Sequence, residues 1–122
     1  MKKLLIITMA ILMMTLGAVC SASSGEQWEQ IDESAYIDVN SIKTFMDGTT
    51  EYVKGRIKLN FSDSTYGIYY YLVDKDTLRF GLYLTEKYDA NGTLKSKMEF
   101  TKSLTHDGTN NPIIKEILKR AN

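Results

Sequence analysis

From residue 52 the chain alternates with a period of two. In YVKGRIKLNF, Val53, Gly55, Ile57, Leu59 and Phe61 fall on one side, and Tyr52, Lys54, Arg56, Lys58 and Asn60 on the other. That period predicts a strand buried on one face. It recurs along the chain. EQWEQID and SAYIDV predict two short strands around a polar turn near Asp32 to Ser34. After a turn at Ser62-Asp63-Ser64, YGIYYYL places Tyr66, Ile68, Tyr70 and Leu72 on one face and Tyr69, Tyr71 and Val73 on the other. A longer strand follows, with Leu78, Phe80, Leu82 and Leu84 expected on its core side and Arg79, Gly81, Tyr83, Thr85 and Lys87 opposite. Asn91-Gly92 between two such patterns signals a tight hairpin. Its returning strand is expected to turn Leu94, Met98 and Phe100 inward and Lys95, Lys97 and Glu99 outward.

The period changes at the end. In NPIIKEILKRAN, Asn111 suits an N-cap and Pro112 the first helical position, and Ile113, Ile114, Ile117, Leu118 and Ala121 form a stripe at helical spacing. So short a helix is marginal alone and must dock on the sheet. The predicted class is α+β: an antiparallel sheet of about six strands in chain order, with a C-terminal helix packed on one face.

The start of the chain obeys neither period. MKKLLIITMAILMMTLGAVCSAS has a charged beginning, an apolar middle and small residues after it, the layout of a bacterial signal peptide over residues 1–22. A retained anchor is the alternative, since the apolar run approaches the roughly 17 residues that can just span a bilayer. Lipidation of Cys20 is a third option. Residues 23–122 are then one exported domain, in the periplasm, on the cell surface or outside the cell. If cleavage removes Cys20, the only cysteine, neither a disulfide nor a thiolate metal site remains. Of the 15 basic residues two, Lys2 and Lys3, belong to the leader, so the mature chain carries 13 basic against 15 acidic side chains. That near-neutral balance does not suit non-specific nucleic-acid binding, which draws on a strong positive field.

No catalytic constellation is legible. The single histidine, His106, sits in Thr-His-Asp-Gly, read as a surface loop, without a nucleophile-elbow serine. A hydrolase would need His106 to meet a carboxylate and a hydroxyl in one cleft. Asp74-Lys75-Asp76 lacks the glycine and distal glutamate of an EF-hand loop. No metal or cofactor is expected. One grouping remains: if residues 52–61, 66–73 and 78–88 are neighbouring strands, their non-core sides would present Tyr69, Tyr71 and Tyr83 beside Lys54, Arg56 and Lys58. Tyrosine with arginine is the mixture enriched at protein interfaces. Arg56, Tyr69, Tyr71 and Tyr83 are therefore the candidate partner-binding residues.

The order of motifs resembles the bacterial surface-adhesin protein E family. It is carried by Trp28, by Tyr36-Ile37-Asp38 followed by Ser41-Ile42, by the alternating strand, by Tyr88-Asp89-Ala90-Asn91-Gly92, and by the apolar terminal helix. The likeness spans Trp28 to Ala121. It implies a small sheet-plus-helix domain displayed outside the cytoplasm, with self-association and binding to host extracellular matrix proteins, as for the adhesin that names the family. Members often carry a cysteine pair tying sheet to helix; the mature chain here has none, which leaves docking to apolar packing. Two expectations follow. The first is a non-enzymatic, adhesin-like or protein-binding module whose partners are a protein, a host matrix component or a second copy in a homodimer. The alternative is an envelope-associated module that binds a small apolar or glycan ligand between sheet and helix.

Overall fold

The computed structural model describes residues 25–121, so the expected leader, its cleavage region and Cys20 lie outside the described part of the chain. Among the described residues, eight strands form one antiparallel sheet: β1 Trp28–Asp32, β2 Ala35–Asp38, β3 Lys43–Asp47, β4 Thr50–Asn60, β5 Tyr66–Asp74, β6 Arg79–Tyr88, β7 Leu94–Glu99 and β8 His106–Asp107. A 3-10 turn, Val39–Ser41, separates β2 from β3, and helix α1, Pro112–Lys119, ends the chain. The six expected strands make the main path in chain order, β1-β2-β4-β5-β6-β7.

Two short strands go beyond the expected six. β3 follows β2 along the same edge of β4, and β8 shares with β7 one edge of β6. Between β2 and β3 the ladder is interrupted, and the Arg56 N–H there donates to the Ser41 hydroxyl at 2.9 Å. A side chain thus satisfies a backbone donor that the missing strand leaves open.

The core lies between β2, β4, β5 and α1. Ile37, Val53, Ile57, Val73, Ile114 and Ile117 are all 0% exposed, and Tyr71 completes the cluster at 8%. Gly55 faces the helix, where a Cβ would stand 2.7 Å from the mobile end of Ile42, Cδ1, and 3.6 Å from Ile117 Cγ1. Asn111 caps α1, its Oδ1 accepting from the N–H groups of Ile113 and Ile114 at 2.8 and 3.2 Å. The helix C-terminus is tied across the sheet, Arg120 pairing with Glu29 of β1 and the Thr44 hydroxyl of β3 donating to the Ala121 carbonyl.

Five inward assignments are corrected by the coordinates. Leu84 pairs with Tyr70 while Leu82 pairs with Tyr71, so a bulge at Tyr83 turns Leu84 out of step with Phe80 and Leu82. Leu94, Met98 and Phe100 are exposed, as is Phe61. A helix of eight residues, about 12 Å long, does not extend over β7 or the far end of β4.

Candidate functional site

Directly paired residues of an antiparallel sheet share a face, so the register sorts the side chains opposite the helix into cross-strand rows. One row runs Trp28, Asp38, Arg56, Tyr70. The next runs Tyr36, Lys58, Ile68, Glu86. Beyond it Tyr66 faces Tyr88, their rings stacked 4.9 Å apart at 9°.

Arg56 anchors the first row. Its guanidinium donates to Asp38 Oδ2 through Nε and Nη2 at 3.2 and 2.6 Å, to Glu26 at 2.7 Å and to the Tyr70 hydroxyl at 3.3 Å. Asp38, 2% exposed, also accepts from the N–H groups of Gln27 and Asn40, so this buried carboxylate is fully met. Burial alone would lower the Arg56 pKa, but the hydrogen bonds to Asp38, Tyr70 and Glu26 outweigh it and raise the pKa, keeping the group charged. The Trp28 ring lies 5.2 Å from this guanidinium.

Lys58 is held otherwise. Its ammonium lies 5.1 Å from the Trp28 ring, 5.2 Å from Tyr66 and 5.9 Å from Tyr36, a cage of three rings. It makes no ion pair among the described residues. Burial pushes its pKa down, against a weaker opposing pull from Glu26. The Lys54 ammonium also lies against rings, 5.7 Å from Phe45 and 5.9 Å from Tyr83. On the far flank the Tyr70 and Tyr88 hydroxyls both donate to Glu86 Oε1 at 3.1 Å. Burial and that hydrogen bond push the Tyr88 phenol up to about 12.

The four residues nominated from the sequence therefore divide. Arg56 and Tyr83 share the open face, where Tyr83 tilts against Tyr70 at 5.8 Å. Tyr69 and Tyr71 do not. Tyr71 pairs with Gly55 and Tyr69 with Ile57, which puts both on the helix side. There Tyr71 packs on Phe80 at 5.8 Å, and Tyr69 meets the Lys87 ammonium at 5.6 Å. Their places on the open face are taken by Trp28, Tyr36, Tyr66 and Tyr70, which were not nominated. The signal was present: the short turn after Asn60 sets Asn60 opposite Tyr66, and counting back from there gives Arg56 to Tyr70.

At the turn end of the sheet a cleft of about 530 Å³ opens beside Tyr66 and Tyr88, bordered by Phe61, Asp63, Lys87, Asp89 and Lys95. At the other end residues 100–105 leave β7, cross over Gly81 and return as β8; Lys102 fastens this strap, pairing with Asp47 at 3.1 Å and lying 4.2 Å from the Tyr52 ring. A Cβ on Gly81 would stand 2.2 Å from the Ser103 carbonyl oxygen. His106 is exposed in β8 with its ring 5.3 Å from Phe80. Among the described residues no three His, Cys, Asp or Glu side chains converge as metal ligands, and no helix is long and apolar enough to cross a membrane. No family model matches the chain, and no curated protein or solved structure does either.

Proposed function

We propose that the protein is an exported, non-enzymatic binding domain, adhesin-like in use, that engages its partner through the sheet face opposite α1. The observation that carries this reading is the makeup of that face: Trp28, Tyr36, Tyr66, Tyr70 and Tyr83 interleaved with Lys54, Arg56 and Lys58. Tyr, Trp and Arg supply large contact area with a polar handle, and they dominate the energetics of protein recognition. Here they are also braced in advance, since Arg56 is held by Asp38, Glu26 and Tyr70 before any partner arrives. Bracing lowers the entropy cost of association. The leader-like residues 1–22 and the resemblance to the surface-adhesin family support export and a partner at or beyond the cell surface. The alternative, a small apolar or glycan ligand between sheet and helix, has less behind it: Ile37, Val53, Ile57, Ile114 and Ile117 fill that seam.

The test compares the wild-type protein with a Tyr36→Ser, Tyr83→Ser double variant for retention on immobilised host-matrix and envelope fractions, with self-association followed by sedimentation. Both side chains are half-buried rather than core, so the variant is expected to keep its melting temperature within a few degrees. Loss of retention or of self-association by about tenfold or more supports the reading. Unchanged values for both in the folded variant remove this face as the binding surface.

A further inference from the structure

Resting on the open-face reading, we propose that the ligand taken there is an acidic polysaccharide, whose carboxylate groups are received by Lys58 and Lys54. The charges of the face leave these two cations over. Glu26 and Asp38 both pair with Arg56, Asp47 pairs with Lys102, and Glu86 accepts from the hydroxyls of Tyr70 and Tyr88. Lys58 and Lys54 make no ion pair of their own among the described residues and lie against aromatic rings, with only a weaker pull on Lys58 from Glu26, which pairs with Arg56. An ammonium partly withdrawn from water without a counter-ion is held at a cost, and an anion placed beside it recovers that cost. The lowered pKa of Lys58 agrees with this withdrawal.

Spacing and surroundings select the kind of anion. Four residues along β4 separate Lys54 from Lys58 by about 13 Å. Double-stranded nucleic acid carries a charge about every 1.7 Å of its axis and is held by a dense positive field, which two isolated lysines in a near-neutral chain do not provide. A polysaccharide with one carboxylate on every second sugar is sparse enough to match. The rings also fit it. Sugars offer C–H faces that lie flat on Trp28, Tyr36 and Tyr66, and hydroxyls that hydrogen-bond to tyrosine oxygens.

The experiment titrates the purified protein with hyaluronan octasaccharide, using dextran of similar size as the uncharged control. Binding of hyaluronan without binding of dextran is expected, weakened about tenfold or more in Lys58→Met and restored in Lys58→Arg. Methionine keeps the apolar stem among the rings, and unchanged thermal melting of that variant verifies the fold. A Lys115→Gln, Lys119→Gln variant, altered only on the exposed side of α1, should bind as wild type. Absence of hyaluronan binding, equal binding by Lys58→Met, or loss in the Lys115, Lys119 variant overturns the proposal. If hyaluronan fails while retention on matrix fractions still depends on Tyr36 and Tyr83, the polysaccharide falls and the open-face reading stands.

Discussion

Asp38 shows how one buried charge organises its surroundings. It receives the N–H of Gln27 before β1, the N–H of Asn40 in the 3-10 turn and two nitrogens of Arg56 in β4, drawing together three separate stretches of chain. Removing one partner of such a pair leaves the other charge stranded, at a cost of about 3–5 kcal/mol, whereas replacing both by apolar groups is often close to neutral. Asp38→Ala is therefore expected to lose that much in urea unfolding. An Asp38→Leu, Arg56→Met double variant should recover most of the loss. A double variant no more stable than Asp38→Ala contradicts this account. From the sequence, Arg56 was recognised as part of a binding face but Asp38 was not. Nothing in Tyr-Ile-Asp-Val distinguishes a buried carboxylate from an ordinary strand-end aspartate until its partner, 18 residues later, is placed beside it.

The elements divide by how much of their conformation is local. β4 and α1 were legible because one strand and one helix each display their burial in their own period, and α1 carries its cap and its proline with it. β3 and β8 were not. Lys-Thr-Phe-Met-Asp and His-Asp have little strand pattern of their own and become strands by lying along β4 and β6. The bulge at Tyr83 was equally invisible, because it is a mismatch between two strands rather than a property of either. Gly81 marks another such dependence, since its bare Cα is where the strap touches the sheet. Gly81→Val is expected to lift residues 100–105 and release Lys102 from Asp47, at about 1–3 kcal/mol. Hydrogen exchange should accelerate at the Phe100 amide, which donates to the Tyr83 carbonyl. Unchanged protection there contradicts the crossing.

At the scale of the molecule, one sheet presents two unlike faces. The helix side is sealed by isoleucine and valine, and on the open side Ile68 and Leu72 are buried as well, the strap crossing at Gly81, the cross-strand partner of Leu72. Tyrosine serves on both sides, which is why composition alone did not tell them apart. It also gives the fold a shared pH response. Burial is the first cause that raises the phenol pKa of Tyr70, Tyr71, Tyr83 and Tyr88 above the ordinary 10.0. The folded state therefore holds these protons more tightly than the unfolded chain does. Their contribution to stability is complete below pH 10 and is lost as pH rises toward about 12, the value for Tyr88. The urea midpoint should fall across that interval, with tyrosinate absorbance of the folded protein appearing late. A midpoint that stays level there excludes this coupling.

α1 follows every strand in chain order, which sets an order of events during synthesis. Every strand of the main path can pair with a predecessor already made, yet Val53, Ile57 and Val73 stay open to water until Ile114 and Ile117 arrive to cover them. The nascent sheet is thus an unfinished half with a bare apolar side, closed only when the helix that follows it is made.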